Sequence, residues 1–189
     1  MPEWSQKRRT MRHYDKSAVV YDNQYCEEQE MKTKAALTGI TLEKENIILD
    51  AGCGTGLILP HIANEVKYVI GIDVSASIVK LAKKRIKEYS NSVLIRADVD
   101  CTPFQNETFD AVFAITLLQN MPKPSWTINE MNRVAKRNAI MVVTGLKKAF
   151  SQKEFTQLLR EAKLEIKTLR LDENLKDYVA ICMKSQRKP

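Results

Sequence analysis

A pair of acids around a glycine-rich turn is the part of this chain best suited to chemistry. Residues 47–56 read IILDAGCGTG, an apolar run that leads into Asp50 and then into three glycines at alternating positions. The glycines are Gly52, Gly54 and Gly56. A second apolar run, residues 68–73, ends at Asp73. A glycine turn lets a ligand approach the backbone closely because no Cβ stands in the way. An acid at the tip of the neighbouring strand can accept both hydroxyls of a ribose. Together the two segments predict a site for a nucleoside-containing cofactor.

The spacing of the glycines argues against two common phosphate-binding motifs. The pattern is GxGxG, whereas dinucleotide-binding proteins carry GxGxxG, and no Gly-Lys-Ser/Thr follows as it would in a P-loop. Asp50 precedes the first glycine by two residues. A carboxylate so near the turn would repel a pyrophosphate, but it suits an ammonium group.

Alternating strands and helices are expected to position these residues at one edge of a sheet. Strands are predicted over residues 47–51, 68–73, 92–96, 109–116, 139–144, 164–171 and 177–183. Helices are predicted over residues 57–64, after Ser75 as N-cap, over 125–136, and over 152–162 behind a Ser151–Glu154 capping box. Residues 10–38 are expected to form two more helical pieces, broken near Asp22–Asn23 and ended by Gly39.

This order of elements predicts an α/β fold whose parallel sheet is covered on both faces. The last two strands are close in sequence and should form a hairpin, which makes the final strand antiparallel to the rest. In such sheets ligands bind at the carboxyl ends of the strands, beside the first strand. The glycine turn and Asp73 both fall there.

Size and composition predict a single domain of ordinary globular character. The chain has 189 residues, of which 44% are hydrophobic and 28% charged. We expect a cytoplasmic protein, since no apolar run approaches the ~20 residues that span a bilayer and residues 1–15 lack the apolar core of a secretory signal. The four cysteines are scattered and the two histidines are isolated, so neither a disulfide framework nor a metal site is expected.

The basic residues are concentrated in the two tails. Net charge is +7, with +3 in residues 1–13 and +3 in residues 184–189, which leaves about +1 for the body of the chain. Basic tails on a nearly neutral domain fit either a contact with RNA or simple solubilisation of the termini.

Four motifs in order resemble the class I S-adenosylmethionine-dependent methyltransferases. DAGCGTG at residues 50–56 looks like motif I of that family, and GIDVS at 71–75 looks like motif II. Residues 97–99, followed by Pro103-Phe104, look like motif III, and 109–112 look like motif IV. The resemblance implies a Rossmann-like fold with seven strands in the order 3-2-1-4-5-7-6. It divides the single domain 1–189 into a helical lid (1–39), a core (40–183) and a basic tail (184–189).

The family's cofactor roles carry over by position and imply S-adenosyl-L-methionine, with S-adenosyl-L-homocysteine as product and no metal. Asp50 and Gly52 should face the methionine moiety, its ammonium in particular, while Asp73 accepts the ribose hydroxyls. Asp98 should accept from the adenine amine, and the Val99 amide should reach a ring nitrogen. The other expected cofactor contacts are Gly54, Gly56, Val74, Ser75, Ile115 and Thr116.

Within the family, the chain is most similar to the type-11 group, which includes quinone-biosynthesis enzymes. By that likeness the N-terminal helices close over the cofactor, so that Tyr14, Tyr21 and Tyr25 could line the lid and Gln29 could reach the methionine carboxylate. Each tyrosine could equally well staple the helices to the domain. Tyr14, Tyr21 and Gln119 are candidates for assisting or orienting an acceptor. None of them matches a catalytic motif, and no histidine follows the fourth strand.

Three functions remain open from the residues alone. A small-molecule methyltransferase is favoured by the type-11 likeness and the neutral body. An RNA (tRNA or rRNA) or protein methyltransferase is favoured by the basic N-terminal arm, with a partner subunit as a further possibility. A non-catalytic partner of the same fold is disfavoured, because a scaffold has no need of intact cofactor motifs.

Overall fold

The computed structural model describes the backbone of residues 2–184 and the side chains of residues 3–12, 15 and 27–184. Helices are α1 (Pro2–Leu37), α2 (Leu59–Ala63), α3 (Ala76–Arg85), α4 (Pro124–Val134) and α5 (Gln152–Glu161), with a short 3-10 helix at Leu118–Asn120. Strands are β1 (Ile47–Ala51), β2 (Tyr68–Asp73), β3 (Ser92–Arg96), β4 (Phe109–Ala114), β5 (Ala135–Leu146), β6 (Leu164–Arg170) and β7 (Asp177–Lys184).

The strands form one seven-stranded sheet in the order β3-β2-β1-β4-β5-β7-β6. Pairing is parallel from β3 through β5, and β7 runs antiparallel to both β5 and β6. The predicted fold, its strand order and the antiparallel final strand are therefore confirmed.

Hydrophobic residues cover both faces of the sheet, as its buried central strands require. Neighbouring residues of β1 point to opposite faces, so Ile48 packs in one apolar cluster and Leu49 in the other, and both are fully buried. The two clusters leave the carboxyl ends of the parallel strands free to carry the polar loops. Over these ends lies α1, which packs against α3 and β7.

Two predicted segments differ from the structure by more than two residues, each for an identifiable reason. The N-terminal segment is one helix of 36 residues rather than two pieces, since Asp and Asn are weaker helix breakers than Gly or Pro. Strand β5 begins at Ala135 rather than Ala139, because a bulge lets Phe109 pair with Ala135 while Ala111 pairs with Ile140. Of the expected basic tail, only Lys184 lies within the described residues.

The packing of α5 on the sheet depends on the missing side chain of Gly145 in β5. A Cβ at this position would lie 2.5 Å from Cδ2 of Phe155. The Phe155 side chain is fully buried and stacks on Tyr178, with ring centroids 5.8 Å apart. Any larger residue at position 145 must therefore push this ring aside.

We expect Gly145→Ala to lower the free energy of unfolding by about 1–3 kcal/mol, the usual cost of overpacking a core. Urea denaturation of the wild type and the variant measures this loss. The matched control is the same substitution in a Phe155→Leu background, where the smaller side chain makes room and the loss should shrink. An equal loss in both backgrounds would show that the clash with Phe155 is not the cause.

Candidate functional site

The glycine turn is held in place by the neighbouring strand. It follows β1 directly, and the backbone amides of Gly52 and Cys53 both donate to the carbonyl oxygen of Ile72 at 2.9 Å. Gly54 has φ = +53°, and a Cβ built on it would meet no atom within 4 Å. The turn therefore presents bare backbone to open space, which is the arrangement that a closely approaching ligand needs.

Asp73, at the end of β2, connects this turn to the following helix. One oxygen of its carboxylate accepts from the Gly54 amide at 3.1 Å, and the other accepts from the Ser75 amide at 2.9 Å. Burial raises the pKa of Asp73, although the backbone hydrogen bonds oppose the rise. Each oxygen keeps a free lone pair, so the carboxylate can also accept from a diol.

Asp50 is a buried acid whose carboxylate is incompletely satisfied. Its side chain lies at the end of β1 with 2% of the residue exposed. Among the described residues, its Oδ2 is buried and has no hydrogen-bond partner. Burial, and then the nearby charge of Asp73, raise the pKa of Asp50 to about 7. A cationic ligand would relieve both the desolvation and the repulsion.

The third predicted acid, Asp98, follows β3 and is already paired with a cation. Lys7 of α1 places its Nζ 2.7 and 2.8 Å from the two oxygens of Asp98 and 2.5 Å from Oδ2 of Asp100. Burial alone would lower the pKa of Lys7, but the hydrogen bonds to Asp100 and Asp98 outweigh it and raise the pKa. The first turns of α1 are thereby tied to this end of the site.

At the opposite end, a buried lysine ties the last turns of α1 to the sheet. Nζ of Lys32 lies 2.6 Å from Oδ2 of Asp177 and 2.8 Å from Oε1 of Glu28. The same Nζ lies 3.5 Å from Oγ1 of Thr116, which itself donates to Gln29 Oε1 at 3.3 Å. Gln29 and Thr116 line the cavity between α1 and the strand ends.

Most of the predicted cofactor residues surround this one cavity. Those that line it are Asp50, Gly52, Gly54, Asp73, Val74, Asp98, Val99 and Ile115, together with Ser75, Thr116 and Gln29. The structure therefore brings the ends of β1, β2, β3 and β4 together under α1.

Two other predicted residues, Gly56 and Gln119, do not line this cavity. Gly56 packs against the helices instead, since a Cβ there would lie 3.2 Å from Leu59 and 3.3 Å from Ala82. Gln119 belongs to the 3-10 helix, and it is the next residue, Asn120, that reaches the cavity. Tyr14, Tyr21 and Tyr25 lie along α1, but their side chains are outside the described residues.

Sequence reasoning missed the cavity-facing residues of the first turns of α1. Lys7, Thr10 and Met11 line the cavity, whereas Arg8, Arg9 and Arg12 are exposed. The signal was available, because positions 7, 10 and 11 share one face of a helix while 8, 9 and 12 lie on others. Treating Lys7, Arg8, Arg9 and Arg12 as one basic arm hid this difference between the faces of the helix.

Within residues 3–12, 15 and 27–184, no three His, Cys, Asp or Glu side chains are grouped so that they could hold a metal ion. In the part of the chain that is described, no helix is both long and apolar enough to cross a membrane.

The fold and the site together define the class of protein, a Rossmann-like methyltransferase. The features typical of this class are the sheet order, the glycine turn and the acids at three neighbouring strand ends. The family model named Methyltransf_11, described as a methyltransferase domain, matches residues 49–143, just over half of the chain. The chain belongs to this family and is a class I, type-11 methyltransferase by sequence and fold.

Several characterised enzymes are similar to parts of the chain. Malonyl-[acyl-carrier protein] O-methyltransferase of a Marinomonas species is 27% identical over 144 residues, covering 75% of this chain and 53% of the relative. Demethylmenaquinone methyltransferase of Staphylococcus carnosus is 29% identical over 119 residues, covering 61% and 49%. The chain thus spans about half the length of the curated relatives it matches.

A solved structure matches almost the whole chain. It comes from a Haloferax volcanii complex between the Trm112 methyltransferase activator and a methyltransferase, with a TM-score of 0.81 and 16% identity. The match covers 93% of this chain and 97% of that one. At this identity the likeness establishes the fold alone.

The raised pKa of Asp50 predicts proton-linked ligand binding. Above about pH 7 the carboxylate is ionised and ready for an ammonium group, whereas below pH 7 a proton must first leave. We expect the affinity for S-adenosylhomocysteine to fall as pH drops from 7.5 to 6, approaching tenfold per unit. Calorimetry in buffers of different ionisation enthalpy, carried out near pH 6.5, should detect the release of a proton from Asp50 when the ligand binds.

Asp50→Asn is the matched control for this titration, because it keeps the shape of the side chain and replaces the titratable carboxyl with a neutral amide. It should weaken binding at pH 7.5 and abolish both the proton release and the pH dependence. If the variant keeps the wild-type pH profile, Asp50 is not the titrating group.

Replacing Asp73 tests the ribose position. We expect Asp73→Asn to weaken binding of S-adenosylhomocysteine at least about tenfold, since a charge-assisted acceptor becomes a neutral amide. Isothermal calorimetry measures this loss. Because Asp73 also holds the Gly54 and Ser75 amides, a thermal melt must show that the variant is folded. Unchanged affinity in a folded variant would refute the assignment.

Proposed function

We propose that this protein transfers a methyl group from S-adenosyl-L-methionine to a small-molecule acceptor and releases S-adenosyl-L-homocysteine. The observation that carries the proposal is the cavity at the strand ends, where Asp50, Asp73 and Asp98 face one space beside the Gly54 backbone. The incompletely satisfied oxygen of Asp50 and the open space over Gly54 fit the amino acid and nucleoside parts of this cofactor.

Each part of the cofactor has a proposed partner in the chain. Asp73 accepts the ribose hydroxyls, and Asp98, with the amide of Val99, binds the adenine edge. Asp50 faces the methionine ammonium. Near Ile115 and Thr116 lies the methionine end, where Gln29 reaches in from α1. When bound, the cofactor supplies a sulfonium that is itself a strong methyl donor.

What remains for the protein is alignment and exclusion of water. Met11, Leu117 and Met121 give the cavity an apolar wall between α1 and the 3-10 helix. This wall suits a small, partly apolar acceptor, and the relative named demethylmenaquinone methyltransferase supports that class. Tyr14, Tyr21 and Gln119 stay candidates for orienting the acceptor.

A macromolecular acceptor, RNA or protein, is the second candidate. Arg8, Arg9 and Arg12 point outward from α1, and Arg8 lies over the ring of the exposed Trp4. At the start of α4, the Lys123 ammonium lies 4.0 Å from the ring centre of Trp126, which is also exposed. Cations beside exposed indoles are suited to phosphates and unpaired bases. The likeness to a chain solved with an activator supports a partner subunit.

Methyl transfer from labelled cofactor into fractionated cell extract tests the proposal. We expect label in the small-molecule fraction, insensitive to nuclease and protease, and strongly reduced with Asp73→Asn. Label that nuclease removes, together with activity that falls steeply with salt, would favour the RNA acceptor. Label that protease removes would favour a protein. Equal labelling by wild type and variant would contradict methyl transfer at this site.

A further inference from the structure

Lys7 differs from the cations that surround it in sequence. Its side chain is 10% exposed and points into the cavity, whereas Arg8 and Arg9 are exposed on the same helix. Its ammonium contacts both oxygens of Asp98, at 2.7 and 2.8 Å, and one oxygen of Asp100, at 2.5 Å. A lysine so placed is part of the site rather than of a solvated surface.

Asp98 is the carboxylate to which the adenine amine is assigned, and an ionised carboxylate only accepts hydrogen bonds. Oδ1 already accepts from the Asp100 amide at 3.0 Å in addition to Lys7. Both the lysine ammonium and an adenine amine are donors, and Lys7, which lines the cavity beside Asp98, occupies the space from which the amine would approach. Neither can donate to the other.

We propose that Lys7 competes with the adenine amine for Asp98 and thereby sets both the affinity and the base preference of the cofactor site. The inference rests on the proposed function, because it assumes that adenine lies at Asp98. When adenine binds, Lys7 withdraws from Asp98 and keeps its second partner, Asp100. That residue is 12% exposed and is held by the hydroxyl of Thr127, which donates to Oδ1 at 2.5 Å. The ammonium therefore moves a short distance without losing its counter-charge.

The competition depends on the chemistry of the base edge. In a base that carries a carbonyl oxygen in place of the amine, that oxygen cannot donate to Asp98, but it can accept from Lys7. The lysine should therefore oppose adenine and assist hypoxanthine. Replacing Lys7 should therefore increase the ratio of the affinity for an adenine ligand to the affinity for a hypoxanthine ligand.

Calorimetry with two ligands and three proteins tests this inference. The ligands are S-adenosylhomocysteine and S-inosylhomocysteine, and the proteins are wild type, Lys7→Met and Lys34→Met. Lys34 is an exposed lysine near the end of the same helix, so its loss controls for charge. We expect Lys7→Met to bind the adenosyl ligand about tenfold more tightly, given what a charge-assisted hydrogen bond contributes. The inosyl ligand should bind no better, and Lys34→Met should match wild type with both ligands.

The outcomes separate the inference from the proposed function. If wild type binds the adenosyl ligand but Lys7→Met binds it equally or more weakly, the competition is refuted while the proposed function stands. Equal gains for both ligands would also refute it, because the effect would then be general. If neither wild type nor Lys7→Met binds the adenosyl ligand, both proposals fall. Lys7→Gln, which is closer to lysine in polarity, repeats the test should Lys7→Met fail to fold.

Discussion

The site depends on the carboxylate of Asp73, which accepts hydrogen bonds from two backbone amides. It holds the amide of Gly54 in one loop and the amide of Ser75 in the next, so two loops that end adjacent strands become one surface. The pairing of β1 with β2 makes this possible. Ala51 lies beside Ile72, and the amides of the next two residues, Gly52 and Cys53, donate to the Ile72 carbonyl. Both of these loops line the cavity.

Concentrating carboxylates at one edge of a sheet has an electrostatic cost, and α1 supplies the compensation. Asp50, Asp73 and Asp98 face the same cavity, and burial raises the pKa values of the first two. Lys7 neutralises the acids at the β3 end, and Lys32 neutralises Asp177 and Glu28 beside the β4 end. Only the middle, around Asp50, lacks a cation among the described side chains, and an ammonium-bearing ligand would supply one there.

The sheet, and the grouping of polar residues around a cavity at its edge, could be predicted because their signals are local. Apolar runs of five to eight residues mark the strands, and the glycine turn and the acids follow them directly in sequence. Ser75 and the Ser151–Glu154 pair mark helix starts by hydrogen bonds within three residues, and both caps are present.

The contacts of α1 were not predictable by the same reasoning. Helical spacing can set Lys7 apart from the neighbouring cations, but Lys7 and Asp98 are 91 residues apart and no local pattern pairs them. The continuity of α1 past Asp22–Asn23 depends on the balance between weak breakers and packing along the whole helix. Between the pairs Phe109–Ala135 and Ala111–Ile140, β5 has four residues where β4 has one, a bulge that only the paired strand reveals.

A crystal structure of the protein with S-adenosylhomocysteine would show directly which residues hold each part of the ligand. We predict both ribose hydroxyls on the Asp73 carboxylate, the ligand ammonium beside Asp50, and the adenine amine on Asp98. A ligand bound in this cavity with its ribose away from Asp73, or bound outside the cavity altogether, would contradict these assignments.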